Sequence, residues 1–155
     1  IICTIRGIPQ IYYGTEIAMS STGDHGKLRK DFPGGWPDDE KDAFSGHGLN
    51  ETEIEAQSYL KRLLNWRKGN LAVAKGTLMH YPVKDNVYVY FRVYKKDLVM
   101  VIVNNSERTK TVYPNHYNEI IKGHTKGVNI MNNRLHYLLR DINVPGKSTM
   151  ILEIH

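Results

Sequence analysis

A single cysteine, Cys3, stands in the whole chain, which excludes an internal disulfide and any CxxC metal motif. The seven histidines include no pair at HExxH spacing, and no DxDxDG calcium loop occurs, so no metal site and no cofactor are expected. No apolar run approaches the roughly 18 residues that a spanning helix needs, so no membrane partner is expected. The first residues, Ile1-Ile2-Cys3-Thr4-Ile5, have no initiator Met, no basic region and no small-residue cleavage site. An apolar start of this kind is expected to be buried against further chain, as in a piece of a longer protein.

What is present suits a folded protein of one ordinary domain or two small units: 155 residues, 41% hydrophobic and 24% charged. The formal net charge is +5. A nucleic-acid surface needs its cations clustered, whereas Lys27, Arg29 and Lys30 lie beside Asp24 and Asp31, and Lys61, Arg62, Arg67 and Lys68 alternate with glutamates on a helix surface. No nucleic-acid partner is expected.

Three textures follow one another. The first opens with an apolar helical turn (Ile1, Ile2, Ile5) broken by Gly7 and Pro9, then a short β-prone run, Gln10-Ile11-Tyr12-Tyr13, that reads as a buried parallel strand. A long loop rich in Gly, Asp, Ser and Pro follows Ala18, and loops of that length in compact proteins usually serve a function. The second texture is a helix: Asn50 caps it, Glu53 completes a capping box, Ala56, Tyr59, Leu60, Leu63 and Leu64 recur at helical spacing, and Gly69-Asn70 ends it. From Lys75 onward short strands alternate with turns. A hairpin joins residues 87–94 to 98–103 through Lys95-Lys96-Asp97, and further strands are expected at 109–113, 128–131 and, after the Pro145-Gly146 turn, 149–154. Val87, Val89, Phe91 and Val93 alternate with Tyr88, Tyr90, Arg92 and Tyr94, which predicts a strand with one wet, tyrosine-bearing face.

The segment Arg6-Gly7-Ile8-Pro9-Gln10-Ile11-Tyr12-Tyr13-Gly14-Thr15-Glu16 resembles the GxPxxxYGxE motif on the eighth barrel strand of α-amylase-family enzymes, glycoside hydrolase family 13. The loop from Gly23-Asp24 through Arg29 to Asp31-Phe32-Pro33-Gly34-Gly35-Trp36 is similar to the neopullulanase and cyclomaltodextrinase branch, where such a segment leads to the last barrel helix. The resemblance implies an α+β chain: residues 1–74 as the end of a TIM (β/α)8 barrel and 75–155 as an antiparallel β-sandwich, domain C. It also implies that the catalytic carboxylates lie upstream, since the family's nucleophile and acid/base follow earlier barrel strands and must flank one glycosidic bond. This chain on its own is therefore expected to be inactive.

The resemblance implies α-glucan oligosaccharides as ligands and an upstream barrel segment as partner. Asp24 and Arg29 are candidates for gripping sugar hydroxyls, or for an ion pair that orders the loop. Trp36 is a stacking platform or, with Phe32, an anchor that folds the loop down. Tyr13 stands at the barrel mouth, and Glu16 is a supporting carboxylate hydrogen-bonded to backbone or neighbouring loops. The competing reading is a non-catalytic carbohydrate-binding or oligomerisation module, in which an exposed strand edge at 10–13 gives a homo-oligomer.

Overall fold

A computed structural model describes all residues, Ile1–His155. The chain forms two compact units, one of Ile1–Ile8 with Asn65–His155 and one of Pro9–Leu64.

The larger unit is built on hydrophobic alternation. Strands β1 (Thr77–His80), β2 (Val87–Tyr94), β3 (Asp97–Asn104), β5 (Lys126–Asn129), β6 (Leu135–Tyr137) and β8 (Ser148–Ile154) form a six-stranded antiparallel sheet in the order β1-β2-β3-β8-β5-β6. A second, two-stranded sheet pairs β4 (Lys110–Val112) with β7 (Ile142–Val144). Val89, Phe91, Met100, Ile102 and Leu152 on one face of the large sheet share a single core with Val112, Ile142 and Val144 of the small one, which makes a sandwich. The hairpin is tighter than the sequence suggests: Tyr94 pairs with Asp97, leaving a two-residue turn with Lys95 in the left-handed region (φ 54).

The expected wet face of β2 is not there, because Tyr90 is 0% and Arg92 2% exposed. That face is covered by residues 1–8 and by a helix that periodicity missed, α2 (Leu71–Lys75), capped by Asn70 Oδ1 accepting from the Val73 N–H at 2.9 Å. Tyr90 and Thr4 share a hydrogen bond of 2.5 Å. The Arg92 guanidinium donates to three carbonyls at the end of α2, those of Ala72 (3.2 Å), Val73 (2.9 Å) and Gly76 (2.7 Å), where the helix dipole favours a cation. Gly76 is required there, since a Cβ would collide with the carbonyls of Ala72 and Val93. Burial lowers the Arg92 pKa, with the cations Arg67 and Arg6 acting in the same direction.

Helix α1 (Glu51–Gly69) starts at the expected capping box: the Asn50 N–H donates to Glu53 Oε2 (2.8 Å) and the Glu53 N–H to Asn50 Oδ1 (3.0 Å). Lys41 Nζ adds a bridge to Glu53 at 2.8 Å. At the other end Glu153 of β8 accepts from Trp66 Nε1 and Asn70 Nδ2, both at 2.7 Å.

In the N-terminal region one expectation holds and one fails. The apolar start forms the expected single helical turn, with the Thr4 (2.8 Å) and Ile5 (3.0 Å) N–H groups donating to the Ile1 carbonyl. Residues 10–13 form no strand: a ladder needs a partner, and the unit Pro9–Leu64 holds no strand, only an isolated bridge between Asp42 and His47. The strand edge on which a homo-oligomer was expected is therefore absent from this structure. No helix is long and apolar enough to cross a membrane.

Candidate functional site

The loop of residues 13–36 lies in the smaller unit, and its shape follows from local polar pairing. Gly14 adopts φ 84, a value that L side chains rarely take, and ends the 10–13 segment in a 3-10 turn, Thr15–Ile17. The chain then folds back on itself. Tyr13 Oη donates to the Lys30 carbonyl (3.0 Å), Lys30 Nζ to the Ser20 carbonyl (3.1 Å) and Ser21 Oγ to the Lys27 carbonyl (2.8 Å). Tyr13 is thus brought to the 29–31 segment. Partial desolvation raises its pKa, Tyr12 and Asp31 add to the rise, and Arg29 opposes it.

Asp24 opens a turn in which its Oδ1 accepts from the Lys27 N–H (3.1 Å) while the Arg29 N–H reaches the Gly26 carbonyl (3.2 Å). Both side chains are exposed, and no ion pair joins them. The Arg29 guanidinium makes no hydrogen bond and remains available to a ligand, as does the second Asp24 oxygen.

Trp36 is 65% exposed and takes part in no ring contact, whereas Phe32 packs edge-on against Phe44 with centroids 5.5 Å apart. Of the two rings expected to fold the loop down, Phe32 makes a ring contact and Trp36 does not; the Trp36 backbone is held by Asp39, whose Oδ2 accepts from the Gly34 (2.8 Å) and Trp36 (3.1 Å) N–H groups. No hydrogen bond or ring contact links Trp36 to Asp24 or Arg29.

Asp39 and Asp42 are the residues that sequence reasoning missed. Asp42 accepts from the Phe44 N–H (2.8 Å), the Ser45 N–H (3.3 Å) and Ser45 Oγ (2.6 Å), and the Ser45 hydroxyl leads the effects that lower its pKa. For Asp42, an Asp two or three residues ahead of the N–H groups it holds is the legible signal, whereas Asp39 follows both of the N–H groups it holds and leaves no such signal. Glu16 departs from expectation differently: it is half-buried, but its Oε2 is enclosed with no hydrogen-bond partner, because no donor of this chain lies within reach. No group of three or more His, Cys, Asp or Glu side chains converges on a metal position.

Chemically the loop offers a carboxylate, a free guanidinium, a phenol and an exposed indole on a backbone pinned by carboxylate turns. It supplies no pair of carboxyl groups facing one another across a cleft.

Residues 78–153 match the family described as the cyclo-malto-dextrinase C-terminal domain. The chain is 34% identical over 111 residues to a cyclomaltodextrin glucanotransferase of Paenibacillus macerans, covering 72% of this chain and 13% of the relative. It is also 34% identical over 106 residues to the same enzyme of Geobacillus stearothermophilus, covering 68% of this chain and 13% of the relative. The crystal structure of an Anoxybacillus α-amylase shares the fold at a TM-score of 0.72 and 21% identity, over 99% of this chain and 30% of that one. The chain thus spans 13% of the length of each of these two curated relatives. On these matches the chain belongs to the α-amylase family, glycoside hydrolase family 13, and carries that family's antiparallel C-terminal domain.

Proposed function

We propose that this chain is the non-catalytic C-terminal part of a retaining glycosidase of the neopullulanase and cyclomaltodextrinase branch, acting on α-1,4 bonds in starch-type glucans, pullulan or cyclodextrins. The observation that carries this reading is the cyclo-malto-dextrinase C-terminal match at residues 78–153, downstream of the Gly23–Trp36 loop and its free Asp24 and Arg29 groups. In this reading residues 1–74 derive from the barrel and 75–155 form domain C.

The chemistry divides accordingly. Retaining hydrolysis needs a nucleophilic and an acid/base carboxyl about 5 to 5.5 Å apart, and those come from upstream barrel strands. The loop supplies binding: the Arg29 guanidinium donates to adjacent sugar hydroxyls and the free Asp24 oxygen accepts from them, charge-assisted bonds worth about twice a neutral pair. Trp36 stacks on a pyranose C–H face. Tyr13 holds the 29–31 backbone so that Arg29 is presented in one position.

Asp24→Ala and Arg29→Ala in the enzyme that carries this chain test the assignment. Each is expected to raise KM for maltoheptaose roughly tenfold or more, since one charged hydrogen bond is worth about 1.5 to 3 kcal/mol. Unchanged kcat/KM in both variants would remove the loop from the substrate site.

A further inference from the structure

The positive charge of the chain is carried by its larger unit. There lysines and arginines outnumber aspartates and glutamates by more than two to one, while acids are in excess in the smaller unit. The sheet register gathers many of these cations at one end of the sandwich. Tyr94 pairs with Asp97, Leu98 with Ile154, Ile154 with Gly127 and Lys126 with Tyr137. The β2–β3 turn with Lys95 and Lys96, His155 after β8, Lys126 at the start of β5 and the end of β6 therefore stand in a row. Lys122 and His124 join them from the link between a short helix, α3 (Asn118–Ile121), and β5. Two clefts that share His124 open on this end: one of about 480 Å³ beside Leu71, Lys96, Asp97 and His155, and one of about 420 Å³ beside Lys122, Leu138 and Leu139.

The counter-charges here are few. Asp97 and Asp141 are exposed, and Glu153 already accepts from Trp66 and Asn70. No ion pair holds Lys95, Lys96, Lys122 or Lys126, whereas at the opposite end of the sheet Lys147 is bridged to Glu107 at 3.2 Å. Apolar side chains stand in water among these cations: Leu139 is 83% and Tyr137 55% exposed, with the Arg140 guanidinium 5.9 Å from the Tyr137 ring.

We infer that this end of the sandwich docks on an anionic lipid bilayer, with Lys95, Lys96, Lys122 and Lys126 against the headgroup phosphates and Leu139 and Tyr137 at the acyl boundary. From β3 to β6 the row crosses three strand spacings, about 15 Å, which is wider than any single small anion. A dissolved polyanion satisfies the lysines and leaves Leu139 in water, and a neutral apolar partner covers Leu139 and strands the lysines. An anionic bilayer uses both, since it pairs phosphates with an apolar layer that aromatic and aliphatic side chains enter from the rim. Contact of this kind needs no spanning helix, so the expectation of no membrane partner, which rests on spanning segments, does not bear on it.

The inference stands apart from the glycosidase reading, because neither the register nor the charge depends on it. The 155-residue chain is expected to co-sediment with vesicles of phosphatidylcholine mixed with phosphatidylglycerol, and not with phosphatidylcholine alone. Rising salt should release it, because headgroup attraction acts within a Debye length. Lys96→Glu with Lys122→Glu should weaken binding tenfold or more, each lysine counting for roughly fivefold. Lys84→Glu with Arg108→Glu, the same change of net charge at the opposite end, should have much less effect. Leu139→Ser should weaken binding roughly fivefold and leave the salt response as it was. No sedimentation with the mixed vesicles, equal binding to phosphatidylcholine alone, or equal losses in the two charge-reversed variants would overturn the inference. So would full binding by Leu139→Ser together with equally tight binding of the chain to dextran sulfate, which would make the surface one for soluble polyanions.

Discussion

Replacing Asn104 by Ala should cost more stability than any other exchange of a single polar side chain in the sandwich. Asn104 is 1% exposed at the end of β3. Its Nδ2 donates to the carbonyls of Arg108 (2.9 Å), Val144 (3.0 Å) and Pro145 (2.9 Å), and its Oδ1 accepts from the N–H (3.0 Å) and Oγ (2.7 Å) of Ser106. One side chain therefore ties the β3–β4 connection to the end of β7 and to the β7–β8 turn. Alanine leaves the Val144 carbonyl, on a fully buried residue, without this donor and releases the others to compete for water. At about 1 to 3 kcal/mol for each buried group left unsatisfied, the loss comes to roughly 3 kcal/mol. Against total stabilities of about 5 to 15 kcal/mol that is a large share. With a urea slope near 2 kcal/mol/M, the midpoint followed by far-ultraviolet circular dichroism should fall by about 1.5 M with the slope unchanged. Ser106→Ala, which removes one of the five contacts, should cost about 1 kcal/mol. A loss below about 1 kcal/mol in Asn104→Ala would refute the reasoning, since the three carbonyls would then be satisfied some other way.

Asn50→Ala should destabilise by about 1 kcal/mol through loss of the capping box, read as a lowered urea midpoint. The Glu53 carboxyl is held below its usual range by Lys41 first and the Asn50 N–H second. A depressed folded pKa means stability present above the unfolded value and lost as pH falls through the folded one, so Glu53→Gln should flatten the acid limb of a midpoint-versus-pH curve below about pH 4.5 and leave the neutral limb parallel. Tyr81 is pushed up to about 12 by burial and by Glu119. Its contribution is present below pH 10 and lost as pH rises toward 12; in ultraviolet difference titration Tyr81 should be among the phenols that ionise late, with Tyr13, Tyr90 and Tyr117 also raised, and Glu119→Gln should bring one of the late group earlier. Arg92→Lys, which replaces a fork serving three carbonyls by a point charge, should lower the thermal midpoint clearly, whereas a midpoint unchanged within error would show that the α2 carbonyls do not depend on it.

Local chemistry was legible in the sequence. The Asn50 and Glu53 box, the stop at Gly69-Asn70 and the β2–β3 hairpin depend on residues within a few positions of one another, so spacing alone reveals them. The second face of β2 was not legible: Tyr90 and Arg92 read as wet until α2 and residues 1–8 cover them, and cover supplied from other parts of the chain leaves no mark on the strand's own alternation. Strands β1, β6 and β7 were missed because three or four residues give too few alternations to count. The run at 10–13 has the composition of a strand without a ladder partner in its unit, and β-propensity expresses itself only against neighbours. In the loop, Asp24, Arg29 and Trp36 were read from motif spacing, while the Tyr13–Lys30 closure and the Asp39 and Asp42 turns belong to backbone geometry that spacing does not encode.

The measurement closest to the central claim is reducing-sugar release from maltoheptaose by the purified 155-residue chain beside the enzyme that carries it. The account predicts turnover by the enzyme, with the α-anomer formed first, and none above buffer by the chain. Turnover by the chain alone, or an enzyme indifferent to α-glucans, would contradict it.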